Sequence, residues 1–164
     1  MKEELHLSSP KGNINIQLRQ KWMATLSCAE LQDLEDAISL LPNTLSYHYL
    51  KAPEAGLIML KAKTGDKSHT FNMGELLVTR CIVSLTWEQQ STTGYAFIKG
   101  DSQRHAELAA VYDALMQIES FNKILSTKLI SPLNLKQKNK KQQMTKEIAE
   151  TKVDFFTMVR GEDE

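Results

Sequence analysis

The chain has 164 residues, enough for one domain that buries most of a hydrophobic core. Its 20 basic and 20 acidic residues cancel, so the molecule as a whole exerts no net pull on nucleic acid or anionic lipid, and any such pull is local. The N-terminal stretch MKEELHLSSPKGNINIQ lacks a signal-peptide core and no run of about 18 apolar residues occurs anywhere, which predicts a soluble, cytoplasmic protein with no membrane partner. Cys28 and Cys81 are far apart and lack CxxC spacing, so they read as buried free thiols in a reducing compartment.

Residues 1–13 carry little that can pack and read as a flexible lead-in. From Ile14 to Leu26, the apolar positions Leu18, Trp22, Met23 and Leu26 fall on one helical face. Ser27 and Glu30 have capping-box spacing and predict the start of a second helix with the stripe Leu31, Leu34, Ile38 and Leu41, ended by Pro42. The period then shortens to two. LSYHYLKA, LIMLKAK, SHTFNM, LLVTRCIVSLTW and YAFIK read as strands of an antiparallel meander of four to five members, with turns at Pro53–Gly56, at TGDK and at Gly74-Glu75. LLVTRCIVSLTW is apolar on much of both faces, which predicts a central strand.

Gly100, Asp101 and Ser102 break that pattern. Asp101 or Ser102 is placed to cap a long helix carrying Leu108, Val111, Leu115, Ile118, Phe121 and Leu125. Ser131-Pro132 closes the region, and a separate C-terminal helix follows. The reading is an α+β fold with helices on one face of the sheet, divided into a lead-in (1–13), an α+β domain (14–133) and a C-terminal helix with a docking tail (134–164).

No metal-ligand spacing occurs among His6, His48, His69 and His105, and no phosphate-loop, dinucleotide or nucleophile-elbow motif is present, so no metal or cofactor bound by this chain alone is expected. Four residues, Glu75, Arg80, His105 and Glu107, are the candidates for chemistry. His105 and Glu107 sit in the first turns of the long helix, where free amides favour an anion. Arg80, between Val78 and Ile82 on the inner strand, needs a partner such as Glu75 or a bound anion. The stretch NLKQKNKKQQMTKEIAETK has six lysines against two glutamates but no interleaved aromatics, and reads as a solvated helix face; nucleic acid is not expected as a partner.

The tail TKVDFFTMVRG is apolar where chain ends are usually polar. Met144, Ile148, Phe155 and Val159 fall on one stripe if the helix runs through, with Val153 and Phe156 widening it. Burying Phe155, Phe156, Met158 and Val159 returns less than ordering eleven residues costs, so the tail needs a packed helix or a partner. Asp154 and Arg160 bracket its apolar centre as opposite charges.

Several segments together resemble one family, the PhnG subunits of the bacterial carbon-phosphorus lyase system. They are PEAGLIML (53–60), FNMGELLVTRCIVSL (71–85), GYAF (94–97), HAELAAVYDALMQ (105–117), ISPL (130–133) and KVDFFTMVRGED (152–163), in the family's order and spanning roughly Gln20 to Glu164. The resemblance implies a non-autonomous subunit of a core complex with PhnH-, PhnI- and PhnJ-like proteins. In that system an alkylphosphonate displaces adenine from ATP to form ribose 1-methylphosphonate 5-triphosphate, a step associated with PhnI. Radical C–P cleavage on the iron-sulfur subunit PhnJ, using S-adenosylmethionine, comes later.

By this resemblance the isolated chain is inactive and meets a PhnI-like subunit through Val153, Asp154, Phe155, Phe156, Met158, Val159 and Arg160; the exposed apolar face leaves self-association of the isolated chain open. Two alternatives stand beside it: Glu75, Arg80, His105 and Glu107 contribute directly to a phosphonate or triphosphate site, or the chain is an unrelated α+β interaction module.

Overall fold

A computed structural model describes residues 16–42, 44–64 and 69–151. Helix α1 (Ile16–Ser27) buries Trp22, Thr25 and Leu26, while Leu18, assigned by spacing to the same face, is exposed. Helix α2 (Leu31–Asp36) runs into a tight 3₁₀ turn (Ala37–Leu40) and buries Leu34 and Ala37. The expected capping box does not form. Ser27 is consumed as the last residue of α1, where its hydroxyl donates to the Ala24 carbonyl at 2.9 Å, and Glu30 makes no side-chain cap. The Glu30 carboxylate instead accepts from Lys136 at 2.8 Å, a charge-assisted bond that outcompetes a backbone amide.

The described residues form one antiparallel sheet of three strands in the order β1-β2-β3, not the four to five expected. Strand β1 (Tyr47–Thr64) passes straight through the predicted Pro53–Gly56 turn, and β2 (His69–Trp87) passes through Gly74-Glu75. Proline is tolerated because β1 is an edge strand and needs no donor on its outer side, and the register shifts between Tyr49 and Glu54 absorb the local mismatch. Near Gly74 a further register shift, Leu60 pairing with Gly74 but Lys61 with Asn72, bulges Met73 out without ending the strand. Strand β3 (Gln90–Lys99) pairs with residues 78–87 of β2, so β2 is central as its two-faced apolarity predicts.

Helix α3 (Gln103–Met116) lies across the sheet and is buried almost all round, from His105 to Met116. Its approach is set by Gly94 on β3: a Cβ there would lie 1.9 Å from the Ala110 carbonyl oxygen, so only hydrogen fits between strand and helix. Neither Asp101 nor Ser102 caps α3 with a side chain. Gly100 takes φ +88°, and the buried Thr79 hydroxyl of β2 donates to the Gly100 carbonyl at 2.7 Å while accepting the Ser102 amide at 3.0 Å. The sheet itself closes the helix entrance.

The expected single helix breaks at Gln117-Ile118 into α3 and α4 (Glu119–Leu125); Asn122 turns back and donates to the Met116 carbonyl at 2.6 Å, satisfying the end of α3. A π turn (Ser126–Ile130) then leads into α5 (Ser131–Glu150) without the expected stop. Pro132 sits in the first turn of α5, where its missing N–H is not required, and Ser131 Oγ donates to the Ser126 carbonyl at 2.8 Å. Helix α5 thus starts inside the expected α+β domain and continues past residue 133; Leu133 is buried, whereas Leu135, Met144 and Ile148 are exposed. Tyr112 locks α3 to α2 by donating to the Leu34 carbonyl at 2.8 Å, and Lys136 locks α5 to Glu30 and Asp33.

Candidate functional site

Two polar clusters organise the helix-covered side of the sheet. The first centres on Glu107 of α3. Tyr47 and Tyr49, two apart on β1 and therefore on one face, both donate their hydroxyls to the same carboxylate oxygen, and Arg104 Nη1 donates to the other at 2.8 Å. Arg104 also lies 3.8 Å from Glu35 of α2. Burial is the largest single influence on Glu107 and disfavours its charge, but the bonds from Tyr47, Tyr49 and Arg104 together outweigh it and hold the carboxyl below its ordinary range. The bond to the Glu107 anion, reinforced by burial, in turn pushes the Tyr49 phenol up to about 12; burial and the same carboxylate raise Tyr47 further still. Burial, with Glu107 adding to it, pushes the neighbouring Cys81 thiol up to about 11, so it stays protonated and inert.

The second cluster seals the outer edge of β3. Asp113, fully buried on α3, accepts from Arg19 Nε (3.2 Å), Arg19 Nη2 (2.7 Å), Trp22 Nε1 (2.8 Å) and the Tyr95 amide (3.0 Å). The Thr93 carbonyl on the same edge accepts from Arg19 at 3.0 Å and from Gln117 at 2.7 Å. The buried Asp113 carboxylate has both oxygens satisfied by these donors, and the cluster spends free backbone groups of an edge strand that would otherwise recruit another strand. The Arg19 guanidinium also lies 5.5 Å from the Tyr95 ring centroid.

The four candidates from the sequence do not share a face. Arg80 lies on the open face of the sheet, opposite Phe97, and its partner is Glu54 of β1 (Nε to Oε1 2.7 Å), not Glu75. Glu54 is held below its usual range by Lys51 and Arg80. Glu75 pairs with Met59 on the other face, since residues 75 and 80 differ in parity along one strand. His105 is buried and donates Nε2–H to the Leu26 carbonyl at 2.9 Å, joining α3 to the end of α1. Of the four, Glu107 alone gathers several polar groups, and these are Tyr47, Tyr49 and Arg104.

Neither tyrosine nor Asp113 was singled out from sequence. The signals were present: two phenols at strand spacing, and a carboxylate in a helix otherwise apolar all round. Cys28, expected to be buried, is exposed, while Cys81 is buried as expected. Val153, Asp154, Phe155, Phe156, Met158, Val159 and Arg160 lie outside the described residues.

Among the described residues no group of three or more His, Cys, Asp or Glu side chains is placed to hold a metal ion, and no helix is long and apolar enough to cross a membrane. The concavities are shallow: about 180 Å³ between α1 and β3, lined by Met23, Leu26, Tyr95 and Phe97, and about 420 Å³ between α2 and α5, lined by Asp33, Leu40, Leu133 and Lys136. Neither gathers the convergent polar groups of an enclosed active site.

Residues 17–161 match the family described as phosphonate metabolism protein PhnG. A relative from Rhizobium meliloti (strain 1021), named alpha-D-ribose 1-methylphosphonate 5-triphosphate synthase subunit PhnG, is 33% identical over 148 residues, which cover 88% of this chain and 90% of the relative. A match running from α1 through the sheet and all the described helices leaves no part of the fold unaccounted for, and the chain belongs to the PhnG family of phosphonate metabolism proteins.

Proposed function

We propose that this chain is a non-autonomous subunit of a cytoplasmic carbon-phosphorus lyase complex. In that role it supports transfer of an alkylphosphonate to the ribose C1 of ATP, with release of adenine, by assembling with a PhnI-like subunit. PhnH- and PhnJ-like proteins complete the complex. ATP is its substrate, and the iron-sulfur cluster and S-adenosylmethionine chemistry belong to the PhnJ-like member. The tail from Val153 to Arg160, with Phe155 and Phe156 at its centre, meets the PhnI-like subunit.

The observation that carries this reading is the near full-length similarity to a protein named as a synthase subunit. The geometry is consistent with it: Glu107, Asp113, Arg80 and Lys136 are each engaged by partners within the chain, which suits a body that positions neighbours more than one that reacts.

The test is reconstitution. Co-expression of this chain with PhnH-, PhnI- and PhnJ-like subunits from the same genome should give a complex that releases adenine from ATP in the presence of methylphosphonate, followed by chromatography of the free base. Omitting this chain should abolish that release, and this chain alone should release none. Full adenine release without it would remove the proposal.

A further inference from the structure

We propose that the two-stranded arm formed by residues 57–64 of β1 and 69–77 of β2 inserts into an apolar cleft of a different subunit of the synthase, whose inner end carries carboxylates. The proposal rests on the subunit reading above and adds a second, separate anchor to the tail.

The geometry begins at Val78. There β2 pairs with Lys99, the last residue of β3; the Gly100 amide still donates to the Leu77 carbonyl at 2.8 Å, and from residue 76 outward β2 is paired with β1 alone. Cross-strand partners share a face, so the side of the arm that continues the helix-covered face carries Leu57 opposite Leu77, and Met59; these are 62%, 42% and 49% exposed. The opposite side carries Ile58 and Phe71, 40% and 47% exposed, and Met73 bulges out at 63%. Two-stranded ribbons are marginal in water without a layer against them. Here apolar side chains leave both sides over the same stretch of ribbon. A flat partner would cover one side; a cleft covers both.

Charge points to the walls of that cleft. Lys61 and Lys63 stand opposite Asn72 and Thr70, and the sequence between Leu60 and Gly74 carries Lys61, Lys63 and Lys67 against Asp66, three minus one or plus two, which a cleft with carboxylates at its far end complements. The same charges argue against a second copy of this chain. Among the exposed apolar side chains of the described residues, Met144 and Ile148 on α5 sit among Lys140, Lys141 and Lys146 against Glu147, a net positive surface that offers the arm's lysines no complement. The concavities beside α1 and α2 have room for a few side chains, not for a ribbon.

The test uses the co-expressed, purified complex. A photo-crosslinking benzoylphenylalanine replacing Met59 in one preparation and Phe71 in another, on opposite sides of the arm, should each join this chain to the same other subunit, as read by mass spectrometry. Crosslinks to a second copy, or to this chain's own residues 152–164, would overturn the proposal. In parallel, the variant Leu57→Ser, Met59→Ser, Phe71→Ser should unfold at the wild-type urea midpoint but bring down at least tenfold less partner. Undiminished co-purification would overturn the arm while leaving the subunit reading intact. A wild-type chain that joins no synthase subunit would end both.

Discussion

Glu107 shows how a single carboxylate can be an anchor and a pH sensor of the fold at once. Its folded pKa is lowered, so the stability it contributes is fully present above the ordinary glutamate value of about 4.3 and is lost as pH falls through the lowered one. The phenols that grip it have the opposite sign. Tyr47 and Tyr49 are raised, so their contribution is full below the ordinary value of about 10 and is lost as pH climbs toward the Tyr49 value of about 12. Glu107→Gln should therefore cost about 1 to 3 kcal/mol on a plateau from about pH 5 to about pH 10 and progressively less on either side. Urea unfolding of both proteins across that range reads the difference, and a difference independent of pH would mean that the clamp is not ionic.

At the scale of elements, the contact between α3 and β3 is the least tolerant joint. Gly94→Ala would drive a methyl group against the Ala110 carbonyl and, at 2.8 Å, against the Ala114 nitrogen, both backbone atoms that cannot swing away. The expected cost is about 3 kcal/mol, with α3 displaced from the sheet, read as a lower urea midpoint and faster amide exchange in α3. The same joint shows what a sequence can and cannot reveal. The order of helices, meander and long helix is legible because apolar spacing records which face each residue turns to the core, as Trp22, Leu26, Val83, Leu85 and Leu115 all do.

The breaks are less legible, because proline and glycine are ambiguous. Pro53 ends a central strand but not an edge strand, and whether β1 is an edge depends on a pairing order that spacing does not contain. Asn122 ends α3 by a bond to a residue behind it, and Thr79 closes the entrance to α3 from a strand 23 positions away. For the same reason Glu107 was visible as a candidate while Tyr47 and Tyr49, 60 and 58 positions distant, were not.

At the scale of the molecule, the described residues close a core without the tail: Trp22, Leu34, Tyr112, Leu125 and Leu133 are already buried, and α5 leaves the body with Met144 and Ile148 facing water. Deleting residues 153–164 should therefore leave the thermal unfolding midpoint of the isolated chain within about 2 °C of wild type, a shift below that of a 1 kcal/mol change for this size. Co-purification with the PhnI-like subunit should be lost. A large fall in midpoint would mean that the tail belongs to the chain's own core, and an unchanged complex would mean that it docks nowhere.

The arm has a further consequence, which concerns concentration. A long ribbon with apolar side chains on both faces and an unpaired strand edge along residues 69–76 is the kind of surface that captures stray polypeptide strands whenever nothing else covers it. The hazard grows with the number of unaccompanied molecules, so the chain's safety in the cell depends on being made in step with whatever shields the arm.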